Sequence, residues 1–166
     1  MAIRKVRELE DDILRKSSKE VEVIDDKIKE LLKDMLETMY EHEGLGLAAV
    51  QVGILKRVIV IDIYDNNGAH IFINPVIVKT KGKQTVEEGC LSIPNRYANV
   101  ERPAEITVKA LNENGEKIEI VAKEMMAVAL CHEIDHLNGG LFIDKMIPGT
   151  LEYGKPDRSD MKGKKW

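Results

Sequence analysis

Apolar residues recur at helical spacing between Asp25 and His42. Ile28, Leu31, Leu32, Met35, Leu36 and Met39 fall on one stripe, while Lys27, Lys29, Lys33, Asp34 and Glu37 fill the opposite face. This pattern predicts an amphipathic core helix capped by Asp25 or Asp26 and ended by Gly44 and Gly46. From Arg57 to Ile63 the helical spacing disappears. The run RVIVIDI is short, β-branched and almost continuous, which predicts a strand. Asn66-Asn67-Gly68 marks a turn, and Ile71 to Val78 reads as a second strand in which Pro75 implies an edge position or a bulge. Ile106 to Leu111 and Lys117 to Val121 are two further strands, joined by Asn112-Glu113-Asn114-Gly115 with the glycine supplying a positive φ. From Glu124 to Leu137 the helical pattern returns. Met125, Met126, Val128, Ala129 and Leu130 make its first half apolar nearly all round, so this helix is expected to be buried. Gly139 and Gly140 stop it with a left-handed cap. The order of elements implies an α+β domain with antiparallel or mixed sheets packed around a buried C-terminal helix.

Composition adds limits rather than detail. The chain has 166 residues, 43% hydrophobic and 33% charged, which fits one domain over 1–166, with flexibility expected in the tail from about residue 150. No apolar run approaches the ~20 residues that a membrane span needs. Met1 to Asp12 is dense in charge and lacks the apolar stretch of a signal peptide, so a cytoplasmic location is expected. A net charge of −4 gives no reason to expect DNA binding. The last residues differ, because Lys155, Arg158, Lys162, Lys164 and Lys165 face only Asp157 and Asp160. They read first as a solvated basic tail. The two cysteines, Cys90 and Cys131, are expected to be reduced thiols, each a candidate ligand or a small buried apolar group.

The most informative stretch is His132-Glu133-Ile134-Asp135-His136. Residues four apart share a helix face, so the two imidazoles project side by side and can bind one divalent metal. Glu133 lies next to the first of them and can reach a metal-bound water without ligating the metal itself. A charged turn that follows a strongly apolar half-helix is costly unless its polar groups find partners, and a metal site supplies them. The motif alone does not choose the reaction. A thermolysin-like protease needs a glutamate ligand on another helix, and little chain follows His136. A metzincin needs a histidine where Phe142 stands. His42 and His70 sit in turn-like contexts and read as surface residues. Cys90 is the better third ligand, with Gly89 permitting close backbone approach and Pro94 fixing a bend. In isolation Cys90 would read as a buried structural thiol.

Three segments together go further. Gly44-Leu45-Gly46-Leu47-Ala48-Ala49-Val50-Gln51, Glu88-Gly89-Cys90-Leu91-Ser92 and His132-Glu133-Ile134-Asp135-His136-Leu137 resemble the three signature motifs of peptide deformylases, in order and in spacing. The likeness runs roughly from Val23 to Ile147 and is nearest to the bacterial type. It implies that Cys90, His132 and His136 bind the metal, typically Fe²⁺ with Zn²⁺, Ni²⁺ or Co²⁺ as substitutes, and leave a fourth position for water. It implies hydrolysis of the N-formyl group of N-formylmethionyl nascent peptides, with Glu133 as acid–base. The Gln51 amide and the Leu91 backbone N–H would donate to the developing oxyanion, and Gly46 would let backbone approach the substrate. Leu45, Met125, Val128 and Ala129 would line a methionine pocket beside His132. Two features depart from the family pattern. Cys131 stands where many members have glutamine; adjacent helix positions point in different directions, so it is no obvious fourth ligand, and an oxidation-sensitive thiol is left open as its role. Gly154, Pro156 and Gly163 interrupt the tail, which weakens the ribosome contact made by members ending in a basic helix. The alternatives to a deformylase are a small HExxH metalloprotease, or a structural metal-binding module closed by Cys131.

Overall fold

The computed structural model describes residues 2–154. Helix α1 spans Asp26–Glu41, and the Asp25 carboxylate caps it by accepting from the Ile28 N–H at 3.0 Å. Strands β1 (Gly46–Ala48), β2 (Val58–Ile61) and β3 (His70–Lys81) follow, with a 3₁₀ turn at Ala49–Val52. Next come β4 (Gln84–Cys90), β5 (Ile93–Arg102), β6 (Glu105–Leu111) and β7 (Lys117–Lys123). Helix α2 spans Glu124–Leu137, and β8 is the short Glu152–Tyr153. One antiparallel sheet has the order β1-β2-β3-β6-β7, and a smaller one has the order β4-β5-β8.

The near-continuous apolar run of β2 has a simple cause: both faces of the large sheet are covered. Ile59 and Ile61 pack with Val128, Leu130 and Ile134 of α2, while Val58 and Val60 pack with Leu31, Met35 and Met39 of α1. A period-two strand buried on both faces loses its polar alternation. The α+β expectation therefore holds, with one addition. The sheet is packed around α2 on one face and carries the amphipathic α1 on the other.

Pro75 sits just past the point where β3 leaves β2 behind. The β2–β3 pairing covers only His70 to Ile73, so at Pro75 the β2 side of the strand carries no ladder partner and the edge expectation is met there. The bulge expectation is met as well, because the β3–β6 register slips between Ile73 and Val76. Asn74, at φ +53°, uses its side chain to bond both Val21 N–H and Val21 C=O, at 2.8 and 2.9 Å. Strands β4 and β5 escaped the sequence reading. Their inward residues form only a small third core of Cys90, Ile93, Ala98 and Val100 with Leu141 and Phe142.

Helix α2 ends as its glycines imply. Gly139, at φ +78°, donates to His136 C=O, and Gly140 donates to Asp135 C=O at 2.8 Å, a Schellman pair. A Cβ at Gly139 would lie 2.5 Å from the Arg15 carbonyl oxygen. Gly139→Ala is therefore expected to cost about 1–3 kcal/mol. That corresponds to a fall of several degrees in the thermal midpoint, measurable by circular dichroism. An unchanged midpoint would show that the helix end can relax.

Candidate metal centre

Strand β4 and helix α2 bring the two halves of the site together. Cys90 ends β4, while His132 and His136 lie one turn apart on α2 with ring centroids 5.0 Å apart. All three are buried, and one ligand atom from each lies within 4.8 Å of the others. Cys90 Sγ is 3.3 Å from His136 Nε2.

Behind these groups runs a buried ionic chain. His132 Nδ1 is 2.8 Å from Glu88 Oε1. A carboxylate there only accepts, so Nδ1 carries the proton and Nε2 is left as the ligand atom. Arg102 donates to both Glu88 oxygens, at 2.8 and 2.9 Å, and to Asp135 Oδ2 at 2.7 Å. Lys145 holds the other Asp135 oxygen at 2.9 Å. Burial opposes the charge of Glu88, but the bonds from Arg102 and His132 outweigh it and bring the carboxyl down to about 2. Burial likewise opposes a charged His132, yet the nearby Cys90 and Glu88 hold its pKa above the usual range. At His136 burial and the neighbouring His132 both push the pKa down, which favours the neutral imidazole that ligates metals.

Glu133 sits beside this cluster with 1% exposure, and its Oε1 has no hydrogen-bond partner among the described residues. Burial pushes its carboxyl up to about 7. A group poised there can take and return a proton near neutral pH. Gly46 is what makes room for it, since a Cβ at Gly46 would lie 2.7 Å from Glu133 Oε2. The missing side chain thus makes room for the carboxylate.

Gln51 is buried and tightly held. Its Oε1 accepts from Ala48 N–H at 2.9 Å, and its Nε2 donates to Ser92 Oγ at 3.0 Å and to Cys90 Sγ at 3.6 Å. Leu91 lines a cavity of about 620 Å³ together with Cys90, His42, Pro94 and Tyr97. Leu45, Val128 and Ala129 are fully buried in the main core and Met125 is half-buried against it, and none of the four lines that cavity.

Cys131 is not part of the ligand cluster, so the closed four-ligand module lacks its fourth donor among the described residues. Burial pushes the Cys131 thiol up to about 11, which disfavours its thiolate form. His42 and His70 are partly exposed, in keeping with a surface position. His42 Nδ1 lies 2.9 Å from Thr38 C=O, His70 stacks on Phe72, and neither joins the cluster. Conversely, Arg102 and Asp135 were missed as supporting groups. Nothing local marks Arg102, although the uncompensated acid of Glu88 beside Cys90 was a signal that a buried cation must exist.

The family model for polypeptide deformylase matches residues 3–151. The chain belongs to the polypeptide deformylase family. A peptide deformylase of Acetivibrio thermocellus is 60% identical over 147 residues, which cover 89% of this chain and 85% of that relative. The crystal structure of a peptide deformylase from Legionella pneumophila superposes with a TM-score of 0.85 at 46% identity, covering 88% of this chain and 87% of that one. The peptide deformylase from Synechococcus elongatus in complex with actinonin gives 0.84 at 42% identity, covering 87% and 80%. The deformylase match reaches closer to both ends of the chain than the motif resemblance did.

Glu88→Gln would remove the anionic acceptor that orients His132. Metal affinity is expected to fall about 10–100-fold. Competition with a chelator of known affinity measures it, and an unchanged affinity would show that Glu88 does not orient the ligand.

Proposed function

We propose that Cys90, His132 and His136 hold one divalent cation and that Glu133 moves the proton in hydrolysis of N-formylmethionyl peptides. Family membership carries the coarser statement: the protein is a deformylase, a metal-dependent hydrolase that removes the N-formyl group from nascent peptides. The meeting of three ligand atoms beside a buried carboxylate supports the residue assignments.

The donor set fits a transition metal. One sulfur and two imidazoles suit Fe²⁺, which we assign as the native ion, and also accept Zn²⁺, Ni²⁺ or Co²⁺. Three protein ligands leave room for water or substrate, as a hydrolytic site requires. When bound, the cation supplies Lewis acidity to the formyl carbonyl and the attacking water. Glu133 takes a proton from that water as its oxygen adds to the formyl carbon. The Leu91 N–H and the Gln51 amide donate to the formyl oxygen as negative charge grows there. For Gln51 the long bond to sulfur is the one given up, while Ala48 and Ser92 keep the amide in place. Glu133 then returns the proton to the amine nitrogen as the C–N bond breaks, and formate and the free N-terminus depart.

The methionine side chain is assigned to the apolar region of Leu45, Met125, Val128 and Ala129. Met125 is the one of the four that is not fully buried, so it is the side chain that yields on binding. The reaction is assigned to the cytoplasm, where formylated chains are made. No helix among the described residues is long and apolar enough to cross a membrane. The basic residues from Lys155 onward lie outside the described residues. Their transient ribosome contact is a separate proposal that co-sedimentation of the full and truncated chains decides.

The protein purified anaerobically with Fe²⁺ is expected to release formate from formyl-Met-Ala-Ser. No release from a fully metallated sample would sink the assignment. Glu133→Ala is expected to lower turnover by at least about 10²–10⁴ and to leave metal content unchanged. Loss of metal as well would make Glu133 a ligand.

A further inference from the structure

One wall of the site is braced from outside by two tyrosines. The wall is Gly44 and Leu45, in the link between α1 and β1, with Gly46, the first residue of β1. On its inner side, a Cβ at Gly44 would lie 2.9 Å from Leu91 Cδ1, and one at Gly46 would lie 2.7 Å from Glu133 Oε2. Any outward or sideways drift of this link therefore loosens its contact with the Leu91 side chain and with the Glu133 carboxylate assigned to the proton.

On its outer side, the Tyr64 hydroxyl donates to the Gly44 carbonyl at 3.0 Å. Asp62 orients the device. Its Oδ1 accepts from the Tyr64 N–H at 2.8 Å, its Oδ2 accepts from the Tyr40 hydroxyl at 2.7 Å, and its own N–H donates to Leu45 C=O at 2.9 Å. Asp62 is buried, and the two tyrosine rings meet edge to face at 6.3 Å. Tyr40 comes from the last turn of α1, so the brace ties the wall to both flanking elements.

The backbone of Tyr64 is in the left-handed region, at φ +58°. A bulky residue adopts that conformation only where surrounding contacts impose it. Here the imposed conformation turns the ring back so that its hydroxyl reaches Gly44. Tyr64 is 36% exposed, so burial of the ring does not account for that turn.

We propose that Tyr64 is a positioning residue whose hydroxyl, oriented by Asp62 and Tyr40, fixes the Gly44–Gly46 wall against Leu91 and Glu133. The catalytic part of this inference rests on the roles given to those two residues under the proposed function. The brace itself does not.

Tyr64→Phe deletes the hydroxyl and keeps the ring. In the full chain, amide hydrogen exchange across residues 44–46 is expected to quicken at least about tenfold, the loss of one ordering bond at a local opening. With formyl-Met-Ala-Ser and Fe²⁺, kcat is expected to fall about 5–20-fold, with KM within about twofold, because misplacement of groups costs the chemical step. Tyr40→Phe removes the hydroxyl at the other end of Asp62 and is expected to give the same signature. Unchanged exchange in both variants would overturn the brace. Faster exchange with unaltered kcat, or with a change in KM alone, would overturn the positioning role. If the unaltered chain releases no formate, the functional assignment fails on its own, and the exchange result still upholds or overturns the brace.

Discussion

The buried pair of Glu88 and Arg102 is the constraint on which the site depends. Both side chains are almost wholly removed from water, at 0% and 3% exposure. Such a pair is not a strong source of stability, because desolvation consumes much of its attraction. What it provides is orientation. Glu88 is on β4, Arg102 ends β5 and His132 is on α2, so one acid and one guanidinium lock the small sheet to the helix. The guanidinium matches both Glu88 oxygens and has a donor left for Asp135, which an ammonium could not do in the same plane. Removing either partner would strand a charge in the interior at a cost of about 3–5 kcal/mol. The ligand geometry is thus tied to the folding of two otherwise separate layers.

Much of this architecture was legible because it obeys local rules. The α1 stripe, the capping Asp25, the β6–β7 hairpin and the Gly139 cap each follow from a few neighbouring residues. Helix α2 was legible because an all-round apolar half-helix has only one stable environment. The strands around Cys90 were not. In QTVEEGC the inward position of Glu88 carries a charge, and in IPNRYANVER a proline and several polar residues hide the alternation. A strand that faces a buried ionic chain loses the signal that marks strands facing oil.

The site shows the same division. His132, Glu133 and His136 lie within one helical turn, so spacing suffices to place them together. Cys90 is 42 or more residues away, and only the motif likeness joined it to them. Arg102 carried no mark at all, since its partner is a charge on a different strand and its position follows from the β4–β5 register. Gly46 was marked by the motif likeness, and the fold adds that its missing side chain clears Glu133. A glycine beside a buried carboxylate and a glycine beside a substrate backbone look identical in sequence.

Location at a seam explains why so many supports are needed. Cys90 belongs to the small core of β4 and β5, Leu45 to the core under α2, and Leu47 to the core under α1. Packing inside each core is dense and resists displacement, but packing does not by itself fix one core relative to the next. Polar contacts do that here. Arg102 and Glu88 fix the small sheet to α2, Gln51 fixes the turn after β1 to Ser92, and Asp62 fixes the link before β1 to both tyrosines. Three joints surround the cluster of Cys90, His132, His136 and Glu133, and each is made of directional bonds rather than apolar contact. A hydrolytic centre needs groups held to a fraction of an ångström, and directional bonds across a seam supply that where hydrophobic burial cannot.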